Sequence, residues 1–379
     1  MARQFRPTPI PLIVVTGVHA PSMAAVTVGL QWDLPRAVVV RHHIDPAAVT
    51  LTRTVSDAGG VIEEEVVDLD HLCVGCALRE DILPTIERLA AQRRWESIIV
   101  HLPLSAEARH LCRMIADSRR LRRAVKVATV IAALRGSSLT EDLLGGAGLT
   151  DIGAESVPDD DRGVGEVLAG QLEYADALIC VDGADQTASE LLAALARPGA
   201  GIHTGLFGPS AAELLTTGHD TARSEAWTAT VRREPLAPLT GRQVWQLDLV
   251  SERPFHPERF MAEIEAMGSG RHRSRGCFWL ASRPHEVCAW EGSGGHLTIG
   301  VVDCWDDESP FTRLVITGDW SSEQVNQLAV RFHRCLLTDA ELAESGARWR
   351  VDEDGFEPWL GPIAAASLPL MLRTDTPSP

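Results

Sequence analysis

The strongest constraint on the fold is a set of short apolar runs with almost no polar interruption. Leu12–Thr16, Ala37–Val40, Ile98–Val100, Val127–Ala132 and Ala177–Val181 each read as a strand buried on both faces, because a half-exposed strand would alternate. Helical segments lie between them. Ser22–Leu30 is rich in small residues, and Leu78, Ile82, Leu83, Ile86 and Leu89 recur at helical spacing within Leu78–Gln92. Strands alternating with helices predict an α/β domain with a doubly wound, mostly parallel sheet. Gly145–Gly165, rich in Gly and Asp, reads as an exposed loop. Thr216–Arg242, with Pro235, Pro238 and Gly241, reads as irregular and is the expected domain boundary.

The second half has a different rhythm. Val244–Val250 alternates as a half-buried strand, and Cys277–Ala281, Leu297–Val302 and Leu314–Thr317 read as further strands. Pro257 opens a helix running to about Met267, with His256 expected to cap it. Ser321–Leu336 is amphipathic, with Ser321 or Ser322 as its cap and Glu323 in its first turn. Runs of strands with a few helices predict a smaller α+β domain. The expected division is residues 1–225, a linker at 226–242, a second domain at 243–365 and a disordered tail at 366–379.

Composition limits what such a chain can do. The 379 residues suit two domains, with 45% apolar and 23% charged residues. No stretch of about 18 apolar residues occurs and Met1–Pro11 is polar, so no membrane span is expected and the predicted location is the cytoplasm. The net charge of −17 opposes a diffuse grip on nucleic acid, and DNA is not an expected partner. Arg113, Arg119, Arg120, Arg122, Arg123 and Lys126 form a local basic strip that reads as a solvated helix face. Lys126 is the single lysine, so chemistry requiring a lysine elsewhere is excluded.

The turn after the first strand invites comparison with a phosphate-binding loop, G-x-x-x-x-G-K-[ST]. There, glycines free the backbone N–H groups to wrap the phosphates, lysine meets their charge and a hydroxyl holds Mg²⁺. The segment here is Gly17-Val18-His19-Ala20-Pro21-Ser22-Met23-Ala24. Ser22 replaces the second glycine, Met23 the lysine and Ala24 the hydroxyl, while Pro21 removes a donor. Taken alone, a strand–Gly–helix turn specifies no nucleotide.

Of eight cysteines, Cys73 and Cys76 alone form a C-x-x-C pair, which in a cytoplasmic chain points to metal or redox chemistry. Cys112, Cys180 and Cys335 sit among apolar residues and read as small core side chains. The cysteine pair lies in Leu69-Asp70-His71-Leu72-Cys73-Val74-Gly75-Cys76-Ala77-Leu78-Arg79-Glu80-Asp81-Ile82-Leu83. This stretch resembles the signature of the CobW-type GTPases, a zinc-linked family: glycine, C-x-C-C, then T-L-R-x-D-L. Gln171–Asp176, Arg253–Phe260, Arg275–Ala281 and Cys335–Asp339 are similar to further parts of that family, so the likeness runs from about Pro11 to Trp359.

The resemblance implies a P-loop-type sheet and a CobW-type C-terminal domain. The departures imply decay of the nucleotide motifs. Besides the altered loop, the guanine motif N-K-x-D falls on Val181-Asp182-Gly183-Ala184, with Asp185 one residue too late. The E-S/T-T-G strand end falls on His101-Leu102-Pro103-Leu104, and Gly75 replaces the middle cysteine. GTP and Mg²⁺ are therefore not expected cofactors, no residue is assigned a catalytic role, and Gly17, Ser22, Met23 and Ala24 mark a degenerate nucleotide site.

Zinc is the expected metal. Cys73 and Cys76 supply two thiolates, and His71, His101 or the His42-His43 pair are the candidate completing ligands; His42 and His43 read equally as water-exposed strand ends. The resemblance, with the arginine-over-lysine skew of a high-GC genome, implies a non-hydrolysing adaptor in the zinc-starvation response. Its partners would be a ribosome hibernation factor and the small ribosomal subunit. The alternative is a GTP-dependent metallochaperone that hands Zn²⁺ to a client protein.

Overall fold

A computed structural model describes residues 8–67, 73–205, 208–234, 236, 238–306, 308–319, 322–344, 349 and 351–363. The expected C-terminal tail lies outside the described residues, as do Ser321 and His71. The chain divides into two compact units. One comprises Met1–Thr230, Leu239–Val244 and Ser293–His296; the other comprises Val231–Pro238, Trp245–Gly292 and Leu297–Pro379.

The first unit is built on an eight-stranded sheet: β1 (Ile10–Thr16), β2 (Ala37–Asp45), β3 (Thr50–Asp57), β4 (Gly60–Val67), β5 (Ser97–His101), β6 (Val125–Leu134), β7 (Ala177–Cys180) and β8 (Gly201–Thr204), in the order β4-β3-β2-β5-β1-β6-β7-β8. From β2 to β8 the neighbours run parallel, as the continuous apolar runs require, whereas β3 and β4 are antiparallel. Alternation along the strands sorts the core into two layers. Leu12, Val14, Val38, Val40, Ile98 and Val100 face one layer, and Ile13, Val15, Val39, Ile99 and Ile131 face the other. Burying each such side chain contributes roughly 1.5–3 kcal/mol.

Helix α1 (Ala20–Asp33) packs Met23, Val26 and Leu30 into the second layer. The opposite layer receives α2 (Val74–Ala77), a π-helical turn (Leu78–Ile82), α3 (Leu83–Gln92) and α4 (Ala108–Asp117). The helix expected over Leu78–Gln92 thus begins with a π turn, in which Leu83 N donates to Leu78 O.

Two expectations are corrected, and one hairpin went unread. The β3–β4 hairpin was not legible as strands, because β4 is an exposed edge carrying Glu63, Glu64 and Glu65 with no buried face to enforce alternation. The Gly145–Gly165 stretch is not an exposed loop: Leu149, Ala154, Ser156, Asp160 and Val164 are buried. Arg162 holds it together by bonding Asp160 and Ser156. Thr216–Arg242 is not irregular throughout either, since Thr221–Arg233 is helical.

The second unit carries a five-stranded sheet, β12-β11-β10-β13-β9, from β9 (Trp245–Ser251), β10 (His272–Leu280), β11 (Arg283–Ser293), β12 (His296–Cys304) and β13 (Thr312–Gly318). Its core stacks Phe255 on Phe260 with centroids 4.5 Å apart, and Phe332 from the helix Ser322–Cys335 packs edge-on against Phe255. His256 takes the cap position of the helix Pro257–Gly268 without a side-chain cap bond, and its ring packs against Trp349. Strand β11 was missed because Arg283-Pro284-His285-Glu286 opens it with polar residues, and Arg283 is buried by pairing with Asp354 and Glu286.

Candidate functional site

The chain between β1 and α1 is three residues long, Gly17-Val18-His19, because the helix already begins at Ala20. Ala20, Pro21 and Ser22 are therefore helical and cannot curl round an anion as the open loop of a phosphate site does. Met23, at the position of the missing lysine, is fully buried. A Cβ on Gly17 would lie 2.8 Å from Met23 Cγ and 2.8 Å from the Ala133 carbonyl, so backbone and thioether fill the space beside the turn. Ser22 is buried too, and Ala24 offers no hydroxyl.

His19 closes the turn with its Nε2 2.7 Å from Asp142 Oδ2, to which Ser138 Oγ also donates at 2.5 Å. Burial alone would raise the Asp142 carboxyl. The hydrogen bonds from His19 and Ser138, with Arg135 nearby, outweigh it and hold the group below the usual carboxylate range. Asp182 accepts from Gly136 N at 2.7 Å and from Ser137 Oγ at 2.5 Å, joining the turns after β6 and β7. Asp185 caps the helix Gln186–Leu195, accepting from Ala188 N at 2.7 Å. Both aspartates of the expected guanine segment thus have local structural partners, and the Asp142 carboxylate faces the turn where a phosphate site needs positive charge.

The cysteine pair opens α2. Cys73, extended at the cap position, accepts from Cys76 N at 3.0 Å through Sγ. Arg79 Nη2 lies 3.8 Å from Cys76 Sγ. Hydrogen bonding with the Cys73 thiol, then burial, raises the Cys76 thiol above its ordinary value, and Arg79 opposes this. The two sulfurs form one donor pair at the start of a short helix.

Five residues after Cys76, Asp81 is buried and holds His42 and Arg53. His42 Nε2 is 2.7 Å from Asp81 Oδ1, and Arg53 pairs with Asp81 and Glu65. Burial would raise the Asp81 carboxyl, but His42 and Arg53 pull it below the usual range. An ionised Asp81 can only accept, so His42 donates from Nε2 and keeps a lone pair on Nδ1, which is buried without a partner among the described residues. His42 is therefore not a water-exposed strand end, although its neighbour His43 is exposed. Asp81 belonged to the recognised segment and His42 to the candidate ligands, but nothing in the sequence paired the two.

His101 is not brought to the cysteines. It pairs in register with Val15 and Arg41, and its Nδ1 lies 2.8 Å from Thr27 Oγ1 of α1. His42, one residue beyond Arg41, points to the opposite face of the sheet, where Asp81 and the π turn lie. Thr27 gives its one proton to Met23 O, so the His101 Nδ1–H donates to Thr27. No group of three His, Cys, Asp or Glu side chains suited to a metal ion is gathered among the described residues, and His71 lies outside them. Among those residues, no helix is long and apolar enough to cross a membrane.

Residues 244–336, in the second unit, match the cobalamin synthesis protein cobW C-terminal domain. Over most of its length the chain is similar to the zinc chaperone Rv0106 of Mycobacterium tuberculosis, with 28% identity over 85% of this chain and 87% of that protein. It is also similar to zinc-regulated GTPase metalloprotein activator 1 of Dictyostelium discoideum, with 24% identity over 83% and 73% of the two chains. A structural comparison returns the Zn(II)-bound YjiA GTPase of E. coli at 15% identity, covering 87% of this chain and 100% of that one, with a TM-score of 0.35.

Proposed function

We propose that this chain handles zinc through Cys73 and Cys76 and acts on a protein partner without a GTPase cycle. The observation that carries the reading is the sulfur pair itself: Cys73 Sγ takes the Cys76 N–H at 3.0 Å, which sets two soft donors side by side at the opening of α2. Two thiolates leave positions of a tetrahedral Zn²⁺ open, and open positions suit an ion that must be passed on by ligand exchange. Zinc is cargo in this account. The zinc-named relatives support it, and a protein client follows from the same names.

The nucleotide part of the reading departs from the relatives named as GTPases. Buried Met23 and the three-residue turn argue against a seat for GTP and Mg²⁺. Losing both the cation and the Mg²⁺ ligand removes the electrostatic stabilisation on which phosphoryl transfer depends. Calorimetry with GTP and Mg²⁺ is expected to show no micromolar binding; micromolar binding with turnover above a buffer control would replace this reading with a GTP-driven chaperone.

The partner in the most specific form of the reading is the small ribosomal subunit with its hibernation factor. With a net charge of −17, contact would go through a protein rather than through RNA at large. Sucrose gradients of cells grown with and without a zinc chelator test this. Co-sedimentation that depends on zinc status is expected, and light fractions under both conditions would leave client delivery as the function.

A further inference from the structure

We infer that a cavity beside the cysteine pair is a binding site for a small aliphatic monocarboxylate. The cavity measures about 350 Å³ and lies wholly within the first unit, between α2, the π turn, α4 and the chain after β5. Its volume falls at the low end of the roughly 300–1,000 Å³ seen for small-molecule sites.

The walls divide by chemistry. Val74, Leu78 and Met114 supply apolar surface, and Arg79, Arg113 and Arg162 also line the cavity. Two are already engaged: Arg162 with Asp160 at 2.7 Å and Arg113 with Glu225. Glu107, the acidic group of the wall, is paired with Arg109 at 2.8 Å. Arg79 forms no ion pair among the described residues; its contact there is the 3.8 Å approach to Cys76 Sγ. A guanidinium with no ion pair among the described residues, beside apolar Val74, Leu78 and Met114, matches one carboxylate on an apolar body, since the planar fork receives a carboxylate through two parallel hydrogen bonds.

The backbone of the wall is set for this shape. Ser105 is fully buried at φ 58°, a left-handed conformation costly for a residue with a side chain. It is held there by its N–H to Gly17 O at 3.0 Å and by Arg162 at its hydroxyl, 3.3 Å away. Gly75 keeps the opposite side open: a Cβ there would meet nothing nearer than Cys73 Sγ at 3.8 Å.

Calorimetry on the full chain tests the site with three probes: hexanoate, hexanamide and inorganic phosphate. Hexanoate is expected to bind with a dissociation constant below about 1 mM, with hexanamide and phosphate each at least about tenfold weaker, a difference of about 1.4 kcal/mol. Arg79→Gln is expected to weaken hexanoate by a similar factor, and Gly75→Leu, which fills the cavity, to remove binding while the melting temperature holds. If Arg79→Gln fails to fold, Gly75→Leu carries the test. Equal binding of hexanoate and hexanamide would overturn the role of Arg79; phosphate binding as tightly as hexanoate would overturn the apolar body. Unchanged hexanoate binding in either folded variant would overturn the site.

Discussion

His42 Nε2 lies 2.7 Å from Asp81 Oδ1 with both side chains buried, and this bond ties the end of β2 to the turn that follows the cysteine pair. With Arg53 on the other carboxylate oxygen, Asp81 fixes where α2 and its thiols stand on the sheet.

Replacing that carboxylate should be costly. Asp81→Asn leaves Arg53 without its buried counter-charge and removes the ionic acceptor for His42. Breaking a buried pair on one side costs roughly 3–5 kcal/mol, so a loss of about 3 kcal/mol is expected. Urea unfolding with an unchanged m-value measures it; a loss under about 1 kcal/mol would show that the network does not anchor the turn.

Acid should destabilise the chain beginning near the ordinary histidine range. Burial lowers His42; burial, then Arg41 and His42, brings His101 down to about 3; burial brings His272 down to about 4. The folded chain keeps these rings neutral while the unfolded chain takes up protons near pH 6.5. Stability is therefore full above that pH and falls as pH drops toward the folded-state values. For His101 the loss at pH 5 is about 2 kcal/mol. Comparing unfolding at pH 7 and pH 5 for the wild type and His101→Asn should show that part of the acid sensitivity gone in the variant. An identical pH dependence would contradict the assignment.

Restoring the missing lysine should not restore a nucleotide site. Met23 is fully enclosed by β1, β6 and the rest of α1, so Met23→Lys places an ammonium in the core rather than at a phosphate. A buried lysine titrates several pH units low, so a destabilisation of about 4 kcal/mol is expected at neutral pH, with no gain in GTP binding by calorimetry. A stable variant that binds GTP would mean the turn can open.

These tests follow how unevenly the sequence disclosed the molecule. Five of the six parallel strands were legible because both faces are buried, as in Leu12–Thr16, whereas half-exposed β8 was not. The β3–β4 hairpin was not, because its outer edge answers to water and the pattern of Val61, Ile62 and Glu63 carries no buried face. Met23 was legible as a lost lysine but not as a core residue; that took the early start of α1. Among the metal candidates, the cysteine spacing puts both thiols at the opening of α2. The histidines were ambiguous, since one residue of register puts His42 with Asp81 and Arg41 on the face of His101. The Asp81–His42 bond spans 39 residues of sequence and no local motif announces it.

Zinc binding at the cysteine pair, independent of nucleotide, is the central claim. A competition titration of the purified chain against a chromophoric zinc chelator, with and without GTP and Mg²⁺, measures it most directly. The account predicts about one zinc per chain at neutral pH, an affinity that weakens with acid because thiolate ligands must lose their protons, no change on adding GTP and Mg²⁺, and loss of the site in Cys73→Ser with Cys76→Ser. Zinc retained by the double variant, or an affinity that shifts with GTP, would contradict it.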